Sequence, residues 1–373
     1  MSRQSELAEL SRVYDSSALS NRNVIVNGAM QCWQRATAAT AAANGYNTVD
    51  RFKFYKNTGA FTTERSDDHP HGAGYSLKAQ CTTADTSLSA GDYAFIDSEL
   101  EGQTLQHFQY GASTAKNITL SFWVKSNKTG IYTSSVYKHA GSGTGYMYRK
   151  EFTISAADTW EKKTITVSPT AGSTSLITAS AGAIPNTNVN GIGITFNFAM
   201  GSTFHGANDT WETGGKYGTS NQVNWLDSTS NNFYITEIQM EVGTEATPFE
   251  HRSFGQELAL CQRYFCRTYG YGTATGAADT SQGCISTVSE TAHNYASAGN
   301  FNFPVEMRAA PSVTLYSTYN ANTTGKVTAD ATDGTGSAGF IAASRCFIHR
   351  ANDSSGVGAN VLMRAHAIAS AEL

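Results

Sequence analysis

The sequence has few charged residues and no long apolar run. Asp, Glu, Lys and Arg make up 15% of its 373 residues, against roughly 25% in an ordinary globular chain. Helical bundles and coiled coils need abundant Leu, Ala, Glu and Lys, so the composition argues against both. Because no run of about 18 apolar residues occurs, no membrane insertion is predicted. Residues 1–6 also lack the apolar core of a secretory signal. The net charge of −4 gives no indication of a nucleic-acid partner.

Metal-binding patterns are nearly absent. The six cysteines form no C-x-x-C pair and lie at no zinc-like spacing from a histidine, so we expect reduced, buried thiols. His69 and His71 follow Asp67 and Asp68, and such a cluster is able to hold a metal ion. We favour the alternative, a polar surface turn, and we predict no bound metal and no cofactor.

Catalytic signatures are absent as well. The sequence contains no G-x-S-x-G elbow, no P-loop and no H-E-x-x-H. Glycosidases need two carboxylates across a cleft, for which Asp97, Glu99 and Glu101 are candidates. Alternating acidic residues on a strand edge commonly face solvent, however, so the chain is not expected to be an enzyme.

Small hydroxyl residues, glycine and aromatics are abundant instead. The chain has 38 Ser, 45 Thr and 34 Gly, and 11% of its residues are aromatic. These residue types suit β-strands joined by many turns. The predicted fold class is therefore all-β, organised as a short N-terminal helical segment (1–22), a jelly-roll β-sandwich (23–252), a connecting helix (253–267) and a small C-terminal β-sandwich (268–373).

The central domain shows the clearest periodicity. Apolar and polar residues alternate along residues 118–125 and 192–200, and Tyr234, Ile238, Met240 and Val242 are predicted to share one face of a last strand, with Thr236 its one polar member. Such alternation is typical of antiparallel sheets with one solvated face. We expect about eight to ten strands in this region, built as a sandwich or jelly roll.

Helical spacing appears on either side of this domain. Leu7, Leu10 and Val13 form a stripe that is too short for a stable isolated helix. This stripe is a candidate attachment surface, and a frayed terminus is an equal alternative. A capping-box pattern precedes a predicted helix over residues 255–266. The C-terminal region is predicted to contain short strands, one of them at Phe340–Ala343, around a thin core.

Three aromatic residues are candidates for sugar binding. Trp211 and Tyr217 lie in a Gly-rich polar segment, and Trp225 follows closely. Exposed aromatic rings stack on the apolar face of sugars while neighbouring amides and carboxylates bind the hydroxyls. For each tryptophan we favour the alternative that it covers an end of the sandwich.

Four stretches of the sequence resemble a module of tailed-bacteriophage virion proteins, often called tail fibre or tail appendage proteins. They are residues 221–252 (beginning NQVNWLDSTSNNFYIT), 257–265, 23–35 (NVIVNGAMQCWQR, with VDRF at 49–52) and 303–314 (FPVEMRAAPSVT). The resemblance implies a jelly roll similar to carbohydrate-binding modules, a short helix, a C-terminal β domain, trimeric assembly and a role in host attachment. The resemblance gives no defined sugar-binding residue that can be assigned to a position of this sequence.

These observations predict a virion structural protein, either a tail fibre or a receptor-binding appendage, that is assembled in the host cytoplasm. The expected partners are two further copies of the chain, other virion proteins through the N-terminal segment, and host surface glycan. A head fibre or capsid decoration protein is the alternative from the same class. A polysaccharide depolymerase is the least favoured alternative.

Overall fold

Antiparallel strands make up nearly all of the regular structure, which confirms the predicted all-β class. The structure is a computed structural model that describes residues 21–39, 44–139, 145–278, 282–289, 296–330, 332–350 and 360–373. The stripe at Leu7, Leu10 and Val13 lies outside these residues. The chain divides into two compact units. The first comprises residues up to Gln31, Thr37–Ser253 and Leu373, and the second comprises Cys32–Ala36 and Phe254–Glu372.

The first unit is a sandwich of two six-stranded antiparallel sheets. Its strands are β1 (Ala38–Ala39), β2 (Lys53–Lys56), β3 (Ala60–Ser66), β4 (Ser76–Thr83), β5 (Tyr93–Glu101), β6 (Ile118–Ser126), β7 (Gly130–Lys138), β8 (Tyr146–Ile154), β9 (Glu161–Val167), β10 (Asn190–Met200), β11 (Thr210–Thr213) and β12 (Asn232–Val242). The order is β1-β3-β4-β12-β6-β9 in the first sheet and β11-β8-β7-β10-β5-β2 in the second. The crossovers between sheets are those of a jelly-roll type of sandwich.

Aromatic side chains fill the space between the two sheets. Phe122 of the first sheet meets Phe196 and Phe152 of the second edge-on, with ring centroids 4.9 and 5.1 Å apart. Phe61 and Phe198 make a similar contact at 5.4 Å. Full burial of each such ring stabilises the fold by about 1.5–3 kcal/mol. The inward positions of the predicted alternation therefore build the core.

The face assignment predicted for β12 is wrong in its first half. Ile235 is fully buried and Tyr234 is only partly buried, whereas beyond Glu237 the buried apolar residues are Ile238 and Met240. The ladder with β6 shifts register at this point, and Glu237 has a φ of 50°. A β-bulge inserts one residue and so exchanges the two faces of a strand. The prediction applied one period-two pattern from Tyr234 onward and therefore missed the inserted residue.

The second unit begins with helix α1 (Phe254–Gln262). The predicted helix over residues 255–266 is confirmed in place, but it ends earlier because Phe265–Arg267 pairs as a strand. The strands that follow are β13 (Phe265–Arg267), β14 (Ile285–Val288), β15 (Ala296–Asn302), β16 (Ser312–Tyr316), β17 (Lys326–Ala329), β18 (Thr332–Gly339), β19 (Arg345–Arg350) and β20 (Leu362–Ser370).

Strand β20 organises the second unit. Its first half pairs with β14 and β17, and its second half pairs with β13 and β16. The buried residues Ala365, Ala367 and Ala369 of β20 make this part of the core thin, as the composition predicts. The strand predicted at Phe340–Ala343 is wrong, because these residues connect β18 to β19. In the described part of the chain, no helix has the length and apolarity needed to cross a membrane.

Candidate functional site

The outer face of the second sheet carries an unusual set of side chains. Along β5, Ala94, Ile96 and Leu100 point into the sandwich and are buried. Because side chains alternate along a strand, Phe95, Asp97 and Glu99 point to the opposite face. They are 7, 6 and 5% exposed. Asp97 and Glu99 also lie on a strand with neighbours on both sides, so the expectation that they face solvent on a sheet edge is wrong.

A polar segment that crosses this outer face covers part of it. The amide of Asn197 on β10 donates a hydrogen bond to the Tyr217 carbonyl oxygen at 2.8 Å, and the Ser135 hydroxyl donates to the same oxygen. The Gly218 N–H donates to the Phe204 carbonyl oxygen at 3.0 Å. These bonds hold the Phe204 and Tyr217 side chains above the floor formed by the sheet.

A groove of about 280 Å³ remains between this segment and the sheet. Its half-buried rim is formed by Tyr55, Tyr93, Tyr137, His139, Phe204 and Tyr217, and its buried floor by Phe95, Asp97, Glu99, Gly193 and Thr195. The rim is thus largely aromatic and the floor largely polar. We call this feature the aromatic groove.

The rings of the rim are ordered around Phe95. Tyr217 stacks on it with centroids 5.2 Å apart, and Tyr55 and Tyr93 approach it at 5.3 and 5.8 Å. Burial, followed by the nearby Asp97 carboxyl, raises the pKa of Tyr217 to about 12, so its hydroxyl is neutral at physiological pH. Tyr217 therefore presents a neutral ring that is held against Phe95.

Two residues of β10 shape the floor. Thr195 is 2% exposed, and its Oγ1 has no hydrogen-bond partner among the described residues. A buried hydroxyl without a partner costs about 1–3 kcal/mol, so such atoms need an explanation. Gly193 lies beside the carboxylates, and a Cβ added there would come within 3.1 Å of the Glu99 Oε2 atom. The glycine therefore keeps the floor open.

The inner end of the groove is a cluster of ionisable groups. The Lys53 Nζ atom lies 3.3 Å from Asp97 Oδ2 and 3.1 Å from Glu99 Oε1. His139 Nε2 lies 2.5 Å from Glu99 Oε2. The strand pairing explains this arrangement, because Lys53 on β2 and Thr195 on β10 are both the direct partners of Asp97 on β5.

The two carboxyl groups of this cluster differ in pKa. Burial, and then the neighbouring Glu99 carboxylate, raises the pKa of Asp97 well above its ordinary value. Burial alone would also raise the pKa of Glu99, but the hydrogen bond with His139 and the charge of Lys53 hold that pKa below its usual range. Burial opposes the charge of Lys53, but the two carboxylates outweigh it and raise the pKa of that ammonium group. Two carboxyl groups thus share one lysine.

Asp97 and Glu99, two of the three candidate glycosidase carboxylates, both line the groove. Retaining glycosidases place their two carboxyl groups about 5–5.5 Å apart, and inverting enzymes place them farther apart. In this protein both carboxyl groups contact one ammonium group, with Lys53 Nζ 3.3 Å from Asp97 Oδ2 and 3.1 Å from Glu99 Oε1. Glu101 lies outside the groove lining, where its carboxylate accepts a hydrogen bond from Gln103.

Of the three predicted sugar-binding residues, the structure places only Tyr217 in the groove. Trp211 and Trp225 are 1% and 0% exposed. The Trp211 indole N–H donates to the Ser168 carbonyl oxygen, and the Trp225 ring packs on Phe198 with centroids 4.5 Å apart. Neither ring has a face that a sugar can reach. We therefore correct these two assignments in favour of the alternative, a structural role within the sandwich.

The predicted histidine turn also has a structural partner. His69 and His71 direct their Nε2 atoms at Glu237 Oε1, at 3.6 and 3.4 Å. The carboxylate is buried and belongs to the bulge of β12. Among the described residues, no group of three or more His, Cys, Asp or Glu side chains is arranged to hold a metal ion.

Sequence reasoning missed most of the aromatic groove. A usable signal was present in β5, where Tyr93 and Phe95 occupy the same face as Asp97 and Glu99. Aromatic side chains at the polar positions of an alternating strand indicate a surface that binds something. Tyr55 and Phe204 also line the groove, but they belong to segments distant in sequence from β5, and no comparable signal marks them.

The fold and the groove together define a class: a β-sandwich protein with an aromatic-lined groove on the outer face of one sheet. No protein-family model and no curated protein matches the chain. Solved structures to which part of the chain is similar at a low TM-score include carbohydrate-binding modules and a phage tailspike domain.

Three of these structures illustrate the range. The enzymatically active domain of tailspike protein 4 of bacteriophage CBA120 has a TM-score of 0.31 and 12% identity, over 60% of this chain and 22% of that one. The chain thus spans less than a quarter of the tailspike structure. A candidate sugar-binding protein of Bacteroides thetaiotaomicron has a TM-score of 0.31 and 13% identity, over 59% of this chain and 100% of that one.

The third is the family 11 carbohydrate-binding module of a cellulosomal cellulase of Clostridium thermocellum. Its TM-score is 0.27 and its identity 15%, over 55% of this chain and 98% of that one. These TM-scores are too low for the neighbours to assign a family or a ligand. The functional argument therefore rests on the groove itself.

Proposed function

We propose that this protein binds a glycan in the aromatic groove and does not act as an enzyme. The observation that carries the proposal is the combination of a half-buried aromatic rim with a buried polar floor. Ligand sites are typically clefts lined by apolar and aromatic groups with a few fixed polar ones. A sugar needs both features, because its C–H face is apolar and its edge carries hydroxyls.

The geometry supplies a role for each part of the groove. Tyr217 and Phe204 of the crossing segment and Tyr55 of β2 offer rings to the C–H faces of a sugar. On the floor, Asp97 and Glu99 accept hydrogen bonds from hydroxyl groups, and Thr195 Oγ1, which has no partner in the described part of the chain, gains one. A ligand hydroxyl at that position removes the cost of the buried, unpaired group.

We further propose that the protein is a virion appendage that contacts host surface glycans. The resemblance of residues 221–252 and 303–314 to phage tail proteins supports this role, as does the Ser-, Thr- and Gly-rich β composition. In a homotrimer, three weak sites would act together and raise the overall affinity by avidity. The N-terminal stripe at Leu7, Leu10 and Val13 would bind other virion proteins.

A glycan array with the purified chain tests the binding proposal, and light scattering gives the oligomeric state of the same sample. The best array ligand is then measured by titration calorimetry against Tyr217→Ala. We expect this variant to lose about tenfold or more in affinity, as central interface tyrosines do. Tyr319→Ala is the matched control, because Tyr319 is 54% exposed and belongs to the second unit.

Two results would reject glycan binding at this site. One is an array without any ligand for a folded sample. The other is a ligand whose affinity is unchanged in Tyr217→Ala. Release of reducing ends from host polysaccharide would overturn the non-enzymatic part of the proposal.

The virion role needs a separate experiment. Deletion of residues 1–20 is expected to abolish incorporation into particles while leaving the oligomer intact. A truncated protein that still copurifies with virions would contradict the attachment role. The number of copies per particle separates a tail organ, with a few copies, from a head fibre or capsid decoration protein, with many.

A further inference from the structure

One end of the aromatic groove is closed by two rings of its rim. The Tyr93 and Phe204 rings meet edge-on, with centroids 5.6 Å apart and ring planes at 88°. Tyr93 begins β5, and Phe204 belongs to the segment that crosses the same sheet. Tyr217 continues this wall, because its ring contacts that of Phe204 at 6.2 Å. A chain of linked sugar rings therefore has no way out along the sheet at this end.

The polar groups of the floor lie within a short length of the sheet. Asp97 and Glu99 are two residues apart on β5, and their direct partners on β10 are Thr195 and Gly193. Two residues of a strand extend about 7 Å, which is comparable to the length of one pyranose residue. Farther along the same face, toward Tyr93, the lining is aromatic. The floor therefore offers its hydrogen bonds to a single sugar residue.

The volume of the groove agrees with this length. About 280 Å³ is just below the range of roughly 300–1,000 Å³ that is typical of sites for drug-sized ligands. Such a space holds one sugar ring with its hydroxyl groups, and no extended segment of a polysaccharide. Thr195 lies buried on the floor, and its Oγ1 has no hydrogen-bond partner among the described residues. The site thus has the size for one sugar residue and a polar atom that needs a partner.

We propose that the groove binds the terminal residue of a glycan and does not bind residues within a chain. This inference rests on the proposed glycan binding. A residue within a chain carries a glycosidic link on both sides, so it needs an opening at each end of the groove. A terminal residue carries one link, which leaves the groove away from the Tyr93–Phe204 contact. Because surface glycans are attached through their reducing ends, the bound residue is a non-reducing end or a single-residue branch.

Sugars of increasing length test the inference on the unaltered chain. The first probes are the methyl glycosides of glucose, galactose, mannose, rhamnose, N-acetylglucosamine and N-acetylgalactosamine, and ligand-observed NMR identifies which of them binds best. Titration calorimetry then measures the homo-oligosaccharides of that sugar with two and six residues. We expect these two affinities to differ by less than about threefold, because only the terminal residue lies in the groove.

Changes at the two ends of the hexasaccharide locate the contact. Borohydride reduction opens the ring at the reducing end and should leave the affinity unchanged. Methylation of every hydroxyl of the non-reducing residue removes its hydrogen-bond donors, so it should cost about tenfold or more in affinity.

Tyr93→Ala removes one of the two rings that close the end of the groove. The hexasaccharide should then bind more than about threefold tighter than the disaccharide, because its further residues are able to lie along the sheet. Tyr93→Phe is the matched control, since it keeps the ring and should keep the nearly equal affinities of the natural chain. Circular dichroism and thermal unfolding establish that both variants are folded.

Several results would overturn terminal recognition while leaving the proposed function intact. They are a difference larger than about threefold between the two oligosaccharides on the natural chain, an unchanged affinity after methylation of the terminal residue, and nearly equal affinities in Tyr93→Ala. The absence of binding by all six methyl glycosides would also overturn it. If an array ligand is nevertheless lost in Tyr217→Ala, glycan binding in the groove stands without this inference.

Discussion

The Tyr217 ring stacks on the Phe95 ring, with centroids 5.2 Å apart and ring planes 19° apart. Phe95 belongs to the floor formed by β5, and Tyr217 belongs to the segment that crosses the same sheet. The contact therefore joins one wall of the aromatic groove to its floor. Any ligand in the groove lies against a wall whose position is set by packing between segments distant in sequence.

Tyr217→Phe is expected to keep the glycan affinity of the natural chain within about twofold, because stacking uses the ring and not the hydroxyl. Titration calorimetry against the best array ligand measures the difference. A loss as large as that of Tyr217→Ala would show that the hydroxyl and not the ring face contacts the sugar.

Trp225→Ala is expected to lower the free energy of unfolding by about 3–5 kcal/mol, because the indole is fully buried against Phe198 and leaves a cavity. Urea denaturation measures this change. Trp160→Ala is the control, since Trp160 is only partly buried and should cost much less. Unchanged stability with selective loss of glycan binding would restore Trp225 as a binding residue.

Thr195→Val should have opposite effects on stability and binding. Removal of an unpaired buried hydroxyl raises the free energy of unfolding by about 1 kcal/mol, while the ligand loses a hydrogen bond on the floor. Thr133→Val on the neighbouring strand β7 is the control, because its hydroxyl bonds Gln222 and its loss should destabilise the fold. If Thr195→Val destabilises the protein as Thr133→Val does, the hydroxyl has a structural partner.

Gly193→Ala should weaken glycan binding with little change in stability. The added Cβ lies 3.1 Å from Glu99 Oε2, so the Glu99 carboxylate has to shift, and the methyl group occupies space on the floor beside Asp97 Oδ1 at 3.4 Å. Alanine in a strand recovers about 0.5–1 kcal/mol of backbone entropy, which offsets the close contact. Gly91→Ala, with no atom within 4 Å of its Cβ, is the neutral control. Unchanged affinity in Gly193→Ala would place the ligand away from the carboxylates.

The pH dependence of stability should differ in sign between the two carboxyl groups. The pKa of Asp97 is raised in the folded state, so the folded chain holds this proton after the unfolded chain has lost it. Stability is therefore lost as the pH rises from 3.8 through the folded pKa. The Asp97→Asn variant does not have this loss. Its free energy of unfolding relative to the natural chain should therefore increase as the pH rises through that interval.

Glu99→Gln is the internal control for this measurement. The pKa of Glu99 is lowered, so its ionised form adds stability above 4.5 that is lost as the pH falls through the folded value. Glu99→Gln should therefore become less stable, relative to the natural chain, as the pH rises. Urea denaturation at a series of pH values measures both trends, and equal slopes for the two variants would contradict the assignment.

The sequence by itself determined the fold class and much of the strand pattern. Alternation at residues 118–125 and 192–200 predicts β6 and β10, and both are confirmed, because one buried face requires a period of two. Helical spacing after Ser253 predicts α1 in the same way. The Gly-rich polar segment made Tyr217 a candidate sugar-binding residue, and the structure leaves it partly exposed in the groove.

Only the tertiary structure decided which aromatic rings are accessible. Trp211 and Tyr217 stand in the same polar segment, yet one is buried and the other lines the groove. Local composition does not record which side of a crossing segment faces the sheet. The bulge at Glu237 likewise exchanges the two faces of β12, so that the buried apolar positions change from Phe233 and Ile235 to Ile238 and Met240.

The ionisable cluster depends on the tertiary structure for the same reason. Lys53, Asp97 and His139 come from separate parts of the chain, and only the pairing of β2 with β5 and the position of His139 after β7 bring them together. The pKa of a buried carboxyl depends on neighbours that are close in space and distant in sequence. The charge that the groove presents to a ligand is therefore a property of the folded sheet.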